Sequence, residues 1–300
     1  MNNKSSITAL MAAFGRAYHA ETAQTPIFAD TFAKKLMTDQ EYQMIADYIL
    51  GGIDFFAPDK KGNFENDDEA LRFLVNTQIV PTPVARARFC EDSLKAAMKT
   101  GTEQYVILGA GMDTFAFREP MFLKRYPLFE VDYPLTQADK RERIKRAALQ
   151  LPGNLHFVPV DLSTDNLKEK LLNAGFDPGK KTFFSWFGVS YYLSVEQIDA
   201  MLDSIAQLSA EGSSLVFDYG DEGLFSSDVK RVQNMVAMAA AGGEPMRSCF
   251  SYPALEKLLE KHRFLIYKLM TTQDIQKQYD TYNSISYVIK FCYPYGYLLC

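Results

Sequence analysis

Three short segments carry residue types from which a nucleoside site can be built. The first is Leu108-Gly-Ala-Gly-Met-Asp-Thr114. Gly109 and Gly111 let a backbone turn sharply and approach a ligand that a Cβ would repel. GxG alone is weak, because ordinary tight turns from strand to helix produce it about as often. The second segment, Glu130-Val-Asp132, sets a carboxylate 21 positions after Gly111. At that interval an acid meets ribose hydroxyls in nucleoside-binding folds. A plain turn residue before Tyr133-Pro134 is the competing reading, and the pairing with the glycine turn favours the ribose. The third segment, Val160-Asp161-Leu162, reads two ways: a contact to an adenine amino group, or a helix N-cap with Ser163 and Thr164.

The turn also selects among nucleosides. A dinucleotide fingerprint places Gly or Ala three positions after its second glycine, so that a helix N-terminus can press on a pyrophosphate. Here Thr114 stands at that position with Asp113 beside it. A negative side chain repels phosphate and attracts a sulfonium or ammonium. The expected cofactor is therefore S-adenosylmethionine, and a nicotinamide dehydrogenase is disfavoured.

A sheet must position these segments. From residue 104 onward, apolar β-rich runs alternate with helical patterns: Tyr105–Leu108, Leu128–Val131, His156–Val160, Thr182–Phe187 and Ser214–Phe217, then Phe264–Met270 and Ile285–Phe291. Runs apolar on both faces predict a mostly parallel, seven-stranded α/β sheet with helices on each side. The intervening helices are expected over Phe115–Tyr126, Leu135–Leu149, Asn166–Ala174, Val195–Leu208, Phe225–Ala241 and Pro253–Lys261. The first hundred residues hold no convincing strand. Ala13–Leu36 and Glu41–Phe56 read as amphipathic helices, and Glu69–Thr100 as a helix broken at Pro81 and Pro83. This predicts a helical lid over residues 1–100 and a cofactor-binding domain over residues 101–300.

Composition narrows the partners. The 300 residues are 47% hydrophobic and 23% charged, a globular balance. Lys and Arg number 32 against 37 Asp and Glu, net −5, so no basic field exists for nucleic acid or an anionic membrane. No apolar run reaches the ~18 to 20 residues of a spanning helix. The stretch from Ile7 to Phe14 lacks a cleavage pattern after it, and a soluble cytoplasmic protein is expected. Cys90, Cys249, Cys292 and Cys300 are far apart, as in a reducing compartment. His19, His156 and His262 have no metal-ligand spacing, so no metal is expected. The oligomeric state is left open.

Larger motifs complete the reading. Val84-Ala-Arg-Ala-Arg88, Val106–Thr114 with Arg118, Phe129-Glu-Val-Asp-Tyr-Pro134 with Lys140-Arg141, Asp161-Leu162 and Tyr191-Tyr-Leu193 together resemble the leucine carboxyl methyltransferase family. Its members include bacterial relatives of tetracenomycin-type polyketide O-methyltransferases. The likeness runs from about Ala13 to Asp274. It implies a class I, Rossmann-like methyltransferase that binds S-adenosylmethionine. By that resemblance Arg86 holds the cofactor carboxylate, a pairing that suits a guanidinium, and Arg16 contacts the same group. Gly109, Ala110, Gly111 and Asp113 lie against the methionine part, Asp132 against ribose, and Asp161 with Leu162 against adenine. Many members carry a glutamate for the cofactor ammonium where this chain has Phe187. Either backbone carbonyls there take its place or the cofactor is held less tightly.

The catalytic residues are left open, with Tyr191, Tyr192 and Arg247 as candidates, the tyrosines as conceivable proton carriers and Arg247 from a segment that resembles the family's substrate-side motif. Arg247, in Gly243-Glu-Pro-Met-Arg247, is either an anchor for an acceptor carboxylate or a surface cation. His19 and Asp218 are further conceivable proton carriers. The expected activity is methyl transfer to a carboxylate or hydroxyl of a small, polyketide-like acceptor. The rival readings are methylation of a protein C-terminus and binding of the cofactor without turnover.

Overall fold

The computed structural model describes residues 6–279 and 295–299. Strands β1 (Gln104–Leu108), β2 (Leu128–Asp132), β3 (Leu155–Pro159), β4 (Thr182–Trp186) and β5 (Ser214–Gly220) pair in parallel in the order 3-2-1-4-5. Beyond β5 the sheet continues through β7 (Tyr295–Leu299), antiparallel to β5, and then β6 (Lys268–Met270). The five parallel strands start within one residue of the expected runs. The outer edge differs. The Phe264–Met270 run contributes only its last three residues, Ile285–Phe291 lies outside the described residues, and β7 falls where no strand was expected.

The side-chain period of two explains why both faces are covered. Tyr105 and Ile107 of β1 point into a cluster shared with the N-terminal helices, whereas Val106 and Leu108 point into the opposite cluster. The second cluster is closed by α9 (Leu167–Asn173), α10 (Val195–Leu208) and α12 (Tyr252–Lys261). The first contains α1 (Ile7–Thr22), α2 (Asp39–Gly51), α4 (Asp67–Leu74) and α5 (Pro81–Met98). Residues of the first hundred thus share one core with Phe183 and Val216 of the sheet.

Local chemistry redraws several helix limits. The helix expected over Ala13–Leu36 ends at Thr22, ahead of Pro26, and a short 3-10 turn at Lys34–Leu36 follows. Thr38 and Glu41 form a reciprocal capping box that starts α2 at Asp39, and Gly52 separates it from α3 (Ile53–Phe56). Pro81 and Pro83 do not break a helix; they stand in the first turn of α5, where a missing N–H costs nothing. A π turn, Val75–Ile79, joins α4 to α5. The run Phe115–Tyr126 splits into α6 (Phe115–Arg118) and α7 (Pro120–Leu123). Glu119 sits outside the helical region, the conformation that a following proline favours. Next come α8 (Pro134–Arg146), α11 (Lys230–Ala241) and α13 (Thr272–Tyr279), the last unexpected.

Candidate cofactor and acceptor site

Strand order reverses between β1 and β4, and an open parallel sheet leaves a crevice at the carboxyl ends of strands there. A cavity of about 410 Å³ occupies this place. The turns after the first four parallel strands supply its floor, and Ser6–Ala9, Arg16 and Arg86 of the N-terminal helices supply its opposite wall.

The glycine turn is built as its composition demands. Gly109 and Gly111 have φ of 73° and 49°, in the left-handed region. A Cβ at Gly109 would collide with Val189, and one at Gly111 would come within 3.0 Å of Ala9 Cβ. The Gly109 and Ala110 amides donate to the Val131 carbonyl at 2.8 and 3.0 Å, tying the turn to the end of β2. The Gly111 amide donates to Asp132 Oδ2, while the Tyr133 amide donates to Oδ1 at 2.6 Å. Burial raises the Asp132 carboxyl to about 6 despite those two hydrogen bonds. Asp113 also lines the cavity, and its Oδ1 accepts the Phe115 amide at 2.7 Å, closing a turn ahead of α6. Thr114 turns away and donates to Asp30 Oδ1 at 2.6 Å.

Asp30, which the sequence did not single out, anchors a buried charge cluster behind the turn. Arg16 Nε donates to Asp30 Oδ2 at 2.8 Å and Arg16 Nη2 to the Met112 carbonyl at 2.6 Å. Arg118 lies 3.5 Å from Asp30 and 2.6 Å from Glu91 of α5. Burial opposes ionisation of Asp30, but Arg16 and Arg118 outweigh it and hold its carboxyl below the ordinary range. Arg16 is therefore on the cavity wall with two of its nitrogens engaged by the protein.

Arg86, on α5, faces the cavity from the other side. Its Nη2 is 2.6 Å from Asp218 Oδ2 and donates to the Tyr191 hydroxyl at 2.6 Å. Tyr191 is buried, which pushes its phenol far up, and Tyr192 is pushed up to about 12 by burial. Both are neutral phenols at ordinary pH, and neither is a ready base. Phe187, Leu162 and Tyr192 line the cavity. Arg247 stands exposed at its rim, its amide donating to the Tyr191 carbonyl at 2.7 Å. Beside it Thr8 donates to Glu244 Oε2 at 2.6 Å.

Asp161 is the candidate that the structure does not bring to the cavity. Its Oδ1 accepts the Ser163 amide at 2.9 Å and the Ser163 hydroxyl, and it is absent from the cavity lining. Nor does it cap a helix, since the N-cap of α9 is Asn166. His19 is buried away from the cavity, and its Nε2 accepts the Ile27 amide at 2.9 Å. Trp186 is a core side chain stacked on Phe217. The cavity also reaches a chain of polar groups that sequence reasoning missed: Cys90 Sγ lies 3.2 Å from the Tyr105 hydroxyl, itself 2.9 Å from Ser185 Oγ. Nothing in the sequence spacing joins those three, because α5, β1 and β4 bring them together. No group of metal-ligating side chains exists among the described residues, and no helix there is long and apolar enough to cross a membrane.

This sheet, with its helices and glycine turn, is the α/β fold of the class I methyltransferases. A "putative methyltransferase" from Thermobifida fusca YX shares the fold with a TM-score of 0.54 and 13% identity, covering 99% of this chain and 94% of that one. A DUF574 family protein from Streptomyces avermitilis does so with a TM-score of 0.56 and 16% identity, over 85% and 94% of the two chains. The leucine carboxyl methyltransferase family matches residues 9–206, and the chain belongs to that family. It is 44% identical over 276 residues to the "Putative S-adenosyl-L-methionine-dependent methyltransferase YktD" of Bacillus subtilis strain 168, covering 91% of this chain and 90% of that protein. A similarly named protein of Mycolicibacterium smegmatis is 34% identical over 219 residues, 70% of this chain and 65% of its own length.

Proposed function

We propose that this chain is an S-adenosylmethionine-dependent O-methyltransferase acting on a carboxylate or hydroxyl of a small, polyketide-like acceptor. The methyltransferase class and the cofactor follow from the family. The choice of oxygen and acceptor is our reading. The observation that carries it is the cavity at the strand-order reversal, with the Asp132 carboxylate on one side and the Arg86 guanidinium on the other.

The residues fit this cofactor. The left-handed glycines leave a cradle that a Cβ would fill, and Asp132 offers acceptor oxygens to a ribose diol. Asp113 and Asp132 set negative charge beside the glycine turn, where it suits a sulfonium or ammonium and is hostile to a pyrophosphate, while Arg16 and Arg86 stand on the opposite wall. When bound, S-adenosylmethionine supplies a methyl group whose bond to sulfur breaks as the acceptor oxygen bonds to carbon, the C–S electron pair staying on sulfur.

In this reading Gly109, Ala110, Gly111 and Asp113 flank the methionine part, with Phe187 along the same wall and Leu162 against adenine. Asp161 acts only by shaping the Leu162 turn. Arg86 and Arg16 face the cofactor carboxylate. Tyr192 and Arg247 belong to the acceptor end, where Arg247 is placed to attract an anionic group. Residues 1–100 act as lid and acceptor-side wall, and residues 101–300 as the cofactor-binding part. Excluding water and aligning oxygen, methyl and sulfur is the main task, so a carboxylate acceptor needs no general base. A hydroxyl acceptor must lose a proton, and the protonated phenols of Tyr191 and Tyr192 do not provide for that.

The test is calorimetry with S-adenosylmethionine and S-adenosylhomocysteine, followed by mass spectrometry of small carboxylic acids and phenols incubated with the cofactor. A methyl ester or ether is expected. Binding with no product across both acceptor classes would sink the O-methyltransferase reading.

A further inference from the structure

Asp218 lies on β5, beyond the segment that matches the family. It is fully buried behind the cavity lining, where one carboxylate oxygen accepts a hydrogen bond and the other makes an ion pair. Oδ1 accepts the Gly188 amide at 2.8 Å, and Oδ2 is 2.6 Å from Arg86 Nη2. Gly188 closes the same arrangement from the other side. Its φ is 75°, and a Cβ there would lie 2.9 Å from Arg86 Nη1. The Tyr191 hydroxyl takes a further hydrogen bond from Nη2. The Arg86 side chain, 15% exposed, is thus held in a slot between β5, the turn after β4 and the following 3-10 turn at Ser190–Tyr192.

A guanidinium has five N–H donors in a rigid fork, and fixing one nitrogen fixes the direction of the rest. A free arginine side chain would have to be ordered when the ligand arrives. A buried arginine without a counter-charge beside a sulfonium would also repel it.

We infer that Asp218 is a positioning residue for recognition of the cofactor's amino-acid end: with Gly188 it orients the Arg86 fork toward the carboxylate and balances its charge. The inference rests on the functional reading above, in which Arg86 faces that carboxylate. Asp218 touches neither cofactor nor acceptor in this scheme and acts through Arg86.

The test compares S-adenosylhomocysteine with 5′-methylthioadenosine, which keeps the adenosine but lacks the amino-acid end. Asp218→Asn preserves shape and the acceptor for Gly188 but sets an N–H against Arg86. It should weaken S-adenosylhomocysteine by about tenfold or more, leaving methylthioadenosine within about twofold. In an Arg86→Lys background, which lacks the fork, Asp218→Asn should cost little further. Equal losses for both nucleosides, or a full-sized loss persisting in the Arg86→Lys background, would overturn the inference. If Asp218→Asn does not fold, Tyr191→Phe carries the comparison. It removes the other partner of Nη2 and should cost about threefold with S-adenosylhomocysteine alone, and equal losses there count against the inference as before. Wild-type protein that binds neither nucleoside would instead overturn the functional reading, a result distinct from a loss confined to the variants.

Discussion

The Gly111 amide is hydrogen-bonded to the Asp132 carboxylate, so the turn after β1 and the end of β2 form one unit. The second oxygen of that carboxylate is held by the Tyr133 amide. Both bonds leave lone pairs free to accept further hydrogen bonds, those of the proposed ribose among them, and they fix the direction in which those lone pairs point.

Asp132→Ala should therefore weaken S-adenosylhomocysteine far more than Asp161→Ala. Each ribose hydroxyl bond to a charged acceptor is worth about 1.5–3 kcal/mol, whereas the Asp161 side chain is spent on Ser163. Isothermal titration of the two folded variants decides it, and equal losses would move the ribose elsewhere.

Cofactor affinity should depend on pH through the same residue. With its carboxyl at about 6, Asp132 is ionised above that pH and a poorer acceptor below it. Affinity should fall by up to about tenfold per unit below the folded value, and Asp132→Asn should flatten that slope. Fold stability responds with the opposite sign. The folded carboxyl holds its proton more tightly than the unfolded one, so its contribution is fully present below the ordinary value of 3.8 and is lost as pH rises through about 6. A binding profile between pH 5 and 8 that is identical in wild type and variant would remove Asp132 as the titrating group.

Asp30→Ala should be among the most destabilising single changes, at about 3–5 kcal/mol, because it takes the carboxylate partner from buried Arg16 and leaves Arg118 with Glu91 alone. The cations at stake are Arg16 and Arg118, whose side chains are 11% and 12% exposed. Since Asp30 is held below its ordinary value, its contribution is present above 3.8 and is lost as pH falls through the lower folded value. Urea denaturation measures the loss, and a change under 1 kcal/mol would show that the cluster is replaced by water.

His19→Ala should lower stability without removing methyl transfer. It strands the Ile27 amide in the interior, at about 1–3 kcal/mol. Burial lowers the His19 pKa to about 4 from an ordinary 6.5, so its stabilising contribution is lost as pH falls across that window. Loss of turnover in a stable, cofactor-binding His19→Ala protein would reinstate it as a proton carrier.

The sheet and its ligand turn were legible because their signals are local. Five apolar runs, a GxG and an acid at the next strand end require no knowledge of the tertiary structure, and β1 to β5 with Gly109, Gly111 and Asp132 follow from them. The rest depends on distant partners. Asp30 looks like any loop aspartate until Arg16, Thr114 and Arg118 converge on it. Asp218 looks like a proton carrier until Arg86, from more than a hundred positions earlier, takes its charge. Asp161 misled because a strand-end aspartate serves a turn as readily as a ligand. Pro81 and Pro83 misled because proline starts a helix as well as stopping one.

The Thr8 hydroxyl finds its acceptor, Glu244, 236 residues further along the chain. At about 5–20 residues per second, a ribosome would need roughly 12–47 s to deliver that partner after the threonine is made. The first helix thus emerges long before the groups that satisfy it, and the Ser6 amide likewise waits for Thr136. Such separations give a high contact order and slow, late closure. The binding cavity, walled by these opening residues, can be completed only after the loop that carries Glu244 has been made.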